Sequence, residues 1–462
     1  MTGVTTARVR FPGSFLIRLV VIAGLMLGLA AVGYLAARRP VEQVAVIVGG
    51  LLLILLYLKK PEIGIYALLL TALFVRFTLP TGTQSRIVAS LLLTAVLAAL
   101  WLARMLAGRK LSLRASPARA PLLAFMLVTV ISYIWSSAVR DPLVVVWRSW
   151  PVVQLGALAV LLLLPTVFLL AANLLPDLRA LEILTAILLA AGVLAALRAL
   201  LPLPLAFMQV RPLFPTWFVC LAYSQALFNR RLPLWLRIML LACICAYLYR
   251  IFSEQMVWLS AWLPTVLALL AISLWRSRVL LLVLLLVSAI YVGANLRGVR
   301  AAYSEENRVS GVTRIDAYIH NWRVTSQHLL FGTGPAGYAV YYMTYFPNEA
   351  MATHSNYLDV FAQTGIIGLL AFIAFYLALA RTARDLLVRV RKRFDFAHAF
   401  AVGTAGGLVG TVVATGLGDW ILPFVYTQTI AGFDYALYTW LMLGAAQALG
   451  YILRREESAG AP

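Results

Sequence analysis

The sequence predicts an all-α polytopic membrane protein of about 12–14 transmembrane helices, with one long external loop that contains short helices. Three observations predict it. Of 462 residues, 63% are hydrophobic and 12% charged, whereas soluble domains carry about 25% charge. Apolar runs of about 20 residues, enough to cross a bilayer core, repeat almost end to end. Lys and Arg collect in the short breaks between those runs, the pattern that sets membrane topology. The formal charge of +21 is therefore a membrane signal, and nucleic acid is excluded as a partner.

The first apolar run, 15–37, is longer than a signal-peptide core and reads as an uncleaved span, with Ala36-Ala37 leaving cleavage open. Further spans are expected at 41–58, 63–79, 86–107, 121–139, 152–173, 180–201, 213–229, 233–252, 255–274, 279–295, 358–380, 398–418 and 431–453, fourteen in all. Short spans within 41–79 and 213–274 are those most apt to be broken or re-entrant. Three cysteines, Cys220, Cys243 and Cys245, fall inside spans, which argues against a disulfide framework or a Cys-based metal site.

Orientation follows from the basic residues. Lys59-Lys60, Arg104 to Arg119, Arg230-Arg231, Arg276 with Arg278, Arg381 to Arg393 and Arg454-Arg455 share one side, the cytoplasm, with both termini; Arg38-Arg39 is the main exception. Three regions result: a multispan part of about eleven spans over 1–295, an external loop over 296–357, and a three-span part with a cytoplasmic tail over 358–462. The protein is expected in the inner or plasma membrane among membrane lipids.

Three of four histidines, His320, His328 and His354, lie in the external loop. Histidine is the side chain best suited to accept a proton near neutral pH. Residues 312–328 read as a helix with an apolar stripe of Ile315, Tyr318, Ile319 and Trp322, and with Asp316, His320, Arg323 and Gln327 opposite. That pattern fits an amphipathic helix on the membrane with Trp322 at headgroup level, or a lid over a cavity. Phe331 to Gly337 packs three glycines and a proline into a tight turn. It lacks a preceding strand and a following Lys-Ser/Thr, so it is not a P-loop. His354-Ser355-Asn356-Tyr357-Leu358 stands at the mouth of the next span, followed by Gln363-Thr364-Gly365-Ile366-Ile367-Gly368. Ser355 or Asn356 suits a helix cap, but a cap does not explain a histidine there.

These residues together resemble the O-antigen ligase and polymerase superfamily, whose signature runs from a Trp-containing helix through a Gly-x-Gly turn to His-Ser-Asn-x-Leu and a Gly-x-x-Gly span. Here the pieces are Trp322, Phe331 to Gly337, His354 to Leu358 and Gly365 to Gly368, within about 308–376. The resemblance implies a membrane glycosyltransferase of GT-C-like fold. It would move a glycan from an undecaprenyl diphosphate carrier to a glycan, lipid or protein acceptor outside the cytoplasm, with inversion, no metal and no cofactor. It further implies that His354 is the general base and that Asn356 and Tyr357 bind substrate. Arginines would hold the diphosphate, because guanidinium groups are permanently charged and bidentate.

Arg211 is the first of these, in an Arg-x-x-Phe context similar to the family's; as an interfacial residue it also suits plain snorkelling. Relatives carry Ser-Arg-Gly where this chain has Ser253-Glu254-Gln255, so Arg250, about one turn earlier, is the second candidate. Arg314 and Arg323 in the loop, with Arg308, are further candidates for diphosphate or acceptor. Gln363 stands where relatives often have an acidic residue. A transporter or flippase of lipid-linked sugars, with Arg76 and Glu254 as intramembrane charges, and a non-catalytic member of a polysaccharide assembly complex are the alternatives. No inverted repeat of the transporter kind is apparent.

Overall fold

The computed structural model describes residues 41–82, 85–109, 111–201, 208, 213–254, 259–306, 312–347 and 353–460. The first expected span, 15–37, lies outside them, as do Arg211 and Arg308. The chain divides into two units, Met1–Gly64 and Ile65–Pro462.

In the first unit, α1 (Val41–Lys59) is apolar from Val44 to Leu58 and ends on Lys59. Its Leu56 carbonyl accepts from Lys60 N at 2.8 Å, and the turn that follows is closed by Ile63 N to Lys60 O at 3.0 Å.

Helix α2 (Glu62–Phe74) opens at the junction of the two units. The span expected over 63–79 stops at Phe74, because a β-hairpin follows: β1 (Thr78–Pro80) pairs antiparallel with β2 (Arg86–Val88). Pro80, which ends β1, and Gly82 beyond it, at φ +77°, are residues that no helix interior accommodates cheaply. Arg76 sits exposed between helix and hairpin rather than within a span.

The helices α3 (Ala89–Ala107), α4 (Arg119–Ala138), α5 (Trp150–Leu174), α6 (Leu178–Leu200), α7 (Leu213–Phe228), α8 (Leu234–Glu254), α9 (Leu259–Arg276) and α10 (Arg278–Ala294) follow in order. In the segment 296–357 come α11 (Leu296–Glu306), α12 (Val312–Thr325), a turn of 3-10 helix (Ser326–His328) and α13 (Gly337–Tyr345). The chain ends with α14 (Asn356–Val390), α15 (Phe396–Leu417), α16 (Val425–Gln428) and α17 (Gly432–Gly460). Among the described residues eight helices are long and apolar enough to cross a membrane, nine if α10 and α11, bent by 83°, form one span. The protein is an all-α, multi-pass membrane protein.

The expected span at 213–229 is the short helix α7, and nearly every residue of it is buried. At 1.5 Å per residue its 16 residues reach about 24 Å, less than a bilayer core of about 30 Å, so α7 is a core helix wrapped by its neighbours. Close approach is what permits the wrapping: a Cβ on Gly407 of α15 would lie 2.3 Å from the Trp217 ring of α7. Small residues at such contacts let helices associate in lipid through van der Waals packing. At the arginine-rich end several basic residues cap helices. Arg114 donates to the carbonyls of Ala172 and Leu175 at 3.1 and 2.7 Å, and Arg237 Nε to Ala226 O at 2.6 Å. This is the favourable position for cations at helix C-termini.

Candidate active site

Helix α14 is broken at Gly365, which takes φ +68°. In a continuous helix the Ala362 and Gln363 carbonyls would accept from amides four residues on. Here they accept from Thr333 N and Gly334 N, at 2.9 and 3.0 Å, while Ile366 N donates to Leu329 O at 2.8 Å. The glycine turn and the Gly365 motif are thus two halves of one joint, and several of the buried backbone groups they expose find partners in the other half. Neither side tolerates a side chain: a Cβ on Gly365 would lie 2.2 Å from Leu330 O, and one on Gly334 2.1 Å from Ser136 Oγ. Ser132 of α4 seals the joint, its hydroxyl 2.5 Å from both the Phe331 and Gln363 carbonyls. Gln363 contributes its own side chain, accepting from Ala336 N at 2.8 Å and donating to Asp359 O at 3.2 Å.

The joint leaves the first turns of α14 facing a buried polar cluster. Asn356 is fully buried; its Nδ2 donates to Leu422 O at 2.7 Å and its Oδ1 accepts from Ile421 N and Leu422 N at 2.9 and 3.1 Å. Trp440 Nε1 donates to the carbonyl of the same Ile421 at 2.8 Å, pinning the 418–424 loop from α17. One turn on, the buried Asp359 accepts from Tyr338 Oη at 2.8 Å and Thr353 Oγ1 at 2.6 Å. Tyr338 stacks on Phe424, ring centroids 4.4 Å apart. Burial, then the Asp359 charge, holds the Tyr338 phenol well above its ordinary value, so it remains a donor. Asp419, also buried, accepts from Thr427 and, at 3.3 Å, from Gln428 Nε2.

His354 lies between the buried Thr353 and Ser355 but is itself exposed, and its backbone is left-handed at φ +49°. A non-glycine residue holds that conformation only where its surroundings impose it. Both neighbours are tied to α14: Thr353 Oγ1 donates to Asp359, and Asp359 N donates to Ser355 O at 2.9 Å.

Helix α12 lies over this cluster, but its protein-facing side differs from both expected faces. Ala317, Asn321, Val324 and Thr325 are buried, while Ile315, Ile319 and Trp322 are 46–60% exposed. The apolar stripe therefore faces outward, as an amphipathic helix at a membrane surface would have it. Arg314 is half-buried, and its charge acts on the Tyr318 phenol, whose value burial raises and Asp359 raises further. Arg314 and Asp359 thus converge on Tyr318. Arg323 is exposed on α12. Arg250 lies half-buried near the C-terminal end of α8, where Phe252 packs on Tyr291 of α10 at 5.5 Å. Tyr357, half-buried, donates to Val412 O at 3.1 Å. His320 packs on Phe346, centroids 4.3 Å apart, and His328 on Tyr341 at 5.0 Å. His354, Asn356 and Tyr357 thus stand together at the start of α14, whereas Arg314 is linked to that region through its effect on Tyr318, and Arg250 and Arg323 lie on other elements.

Asp359, Asp419, Tyr338 and Ser132 are the residues that sequence reasoning missed. A carboxylate inside an apolar span is itself a signal of use, and Asp359 carried that signal; Ser132 and Tyr338 carried none. Among the described residues no three His, Cys, Asp or Glu side chains gather as a metal-ligand set.

No curated protein matches the chain. Residues 236–373 match the family model for O-antigen ligase, a stretch that holds α8 to α13, both halves of the joint, and His354. Over that stretch, less than a third of the 462 residues, the chain is similar to the O-antigen ligase family.

Proposed function

We propose that the protein transfers a glycan from a polyprenyl, in bacteria undecaprenyl, diphosphate carrier to an acceptor hydroxyl on the non-cytoplasmic side of the membrane. The observation that carries this reading is His354: exposed, left-handed at the start of α14, and flanked by Thr353 and Ser355, both bonded to the buried Asp359. A general base must come within hydrogen-bond reach of the proton it takes, and a rigid mount favours that geometry.

In the proposed reaction the acceptor hydroxyl gives its proton to neutral His354 as its oxygen attacks the anomeric carbon. The bond from that carbon to the diphosphate oxygen breaks with inversion, and the carrier diphosphate leaves with the electron pair. The growing negative charge calls for fixed cations; Arg211, Arg250, Arg314 and Arg323 are the proposed set, and the charge of Arg314 acts on Tyr318 together with that of Asp359. Asn356 acts by fixing the 418–424 loop, and Tyr357 borders the mouth. A GT-C-like arrangement and a metal-independent mechanism are part of the same proposal.

The test is a purified, reconstituted protein given lipid-linked glycan and acceptor. His354→Ala should lower turnover at least 100-fold, the usual scale of a lost general base, with an unchanged thermal unfolding midpoint. Full activity of that variant refutes the base assignment. Movement of the carrier across the bilayer without covalent transfer refutes the glycosyltransferase reading altogether.

A further inference from the structure

We infer that the protein carries a specific site for one anionic phospholipid at the arginine-rich end of α6 and α8. A cleft of about 800 Å³ opens there between α6, α7, α8 and the start of α15. That volume lies within the range of small-molecule sites. Its walls are apolar along their length, from Leu189 and Val193 of α6 to Leu236, Met239 and Leu240 of α8. Ala186 and Ala190, one turn apart on α6 and both exposed, leave the room.

The polar end of the cleft is built, and one of its groups lacks a partner. Gln225 lines the cleft yet is only 2% exposed. Its Oε1 accepts from Asn229 Nδ2 at 2.8 Å, which fixes the amide's orientation. Asn229 is fixed in turn, because its Oδ1 accepts from Arg231 N at 3.1 Å. Gln225 Nε2 then has no hydrogen-bond partner among the described residues. Buried donors are rarely left so, and this one asks for an acceptor oxygen from whatever fills the cleft.

The charges at the rim specify the rest. Asp395 is matched by Arg393 at 2.9 Å, whereas Arg231 reaches the same carboxylate only at 4.0 Å and is 82% exposed. Glu182 borders the rim from α6. Arg231 is thus available to a phosphate, Gln225 to an ester or phosphate oxygen, and the apolar length to an acyl chain. Basic pockets between helices on the cytoplasmic side are a recurrent form of anionic-lipid site. The leaflet concerned is the one facing the arginine-rich loops, cytoplasmic in the expected orientation.

Native mass spectrometry of the full-length protein in detergent, titrated with phosphatidylglycerol or phosphatidylcholine, tests the site. Wild type should retain one phosphatidylglycerol at least tenfold more tightly than phosphatidylcholine. Gln225→Leu and Arg231→Gln should each weaken retention about tenfold, and Ala190→Trp, which fills the cleft, should abolish it. Ala190 is exposed, so that variant keeps its fold; should its unfolding midpoint fall, Gln225→Leu decides alone. Equal binding of both lipids, or binding unmoved by the three substitutions, overturns the inference. So does cross-linking of a cysteine at Ala190 to residues 1–40, which would make the chain's own N-terminal segment the occupant.

Discussion

At the scale of single residues, the site depends on Asp359 accepting from Thr353 and Tyr338 at one oxygen. Buried hydroxyls that lose their acceptor cost about 1–3 kcal/mol each. Asp359→Asn keeps the shape and one acceptor oxygen but removes the charge that strengthens both bonds. It should destabilise the protein by about 1–2 kcal/mol and lower kcat about tenfold with little change in KM, because the positioning of His354 rather than substrate binding is disturbed. A measured rise in KM at constant kcat would assign Asp359 to substrate binding. His354 and Asn356 divide the labour on either side of Ser355. One is exposed, the other is buried and holds the backbone of Ile421 and Leu422.

Among elements, the joint between the 329–334 turn and the break in α14 is the part the sequence motif encodes most directly. Gly365→Ala requires a Cβ 2.2 Å from Leu330 O and a φ of +68°. The backbone strain alone is about 1–3 kcal/mol, and the clash adds to it, so the unfolding midpoint in detergent should fall by several degrees; an unchanged midpoint would mean that the joint is not formed. A second contact holds α13 against the 139–149 segment. Tyr345 Oη donates to Asp141 Oδ2 at 2.5 Å, Asp141 N donates to Tyr341 Oη at 3.2 Å, and His328 packs on Tyr341. Two groups here titrate below their ordinary values: Asp141 because Tyr345 bonds to its charged form, His328 because burial disfavours its cation. A depressed folded pKa gives stability that is present above the unfolded pKa and lost as pH falls through the folded one. The contact should therefore loosen in two stages, the first below the ordinary histidine value of 6.5 and the second below the ordinary aspartate value of 3.8. Hydrogen exchange of the 337–345 amides against pH measures it, with Asp141→Asn removing the second stage.

For the whole molecule, the expected orientation places the segment 296–357 outside and both termini inside. In a background without Cys220, Cys243 and Cys245, a cysteine at the exposed Ser304 of α11 should react with a membrane-impermeant maleimide in intact cells. One at the exposed Ser458 of α17 should react only after permeabilisation. The reverse pattern would invert the topology and put His354 on the cytoplasmic side. The same end of the molecule that carries Ser458 carries the ion pairs of Arg393 with Glu456 and Asp395, and the lipid cleft at Arg231. Its charges thus serve packing as well as topology.

The sequence by itself determined the membrane class, the positions of most helices and the motif that carries His354. Each of these is a local property: an apolar run must leave water, and glycines at fixed spacing must mark a turn or a close approach. It also indicated that the two glycine motifs matter, without indicating that they meet. Only the tertiary structure decided that they form one joint, that α7 is a buried core helix, that a hairpin interrupts 75–88, and that α12 turns Ala317 and Asn321 rather than its apolar stripe toward the protein. The physical reason is the same in each case. Buried backbone and carboxylate groups must be satisfied, and their partners here lie far along the chain, Asn356 with Leu422 and Ser132 with Gln363. A single sequence carries no local trace of such pairings.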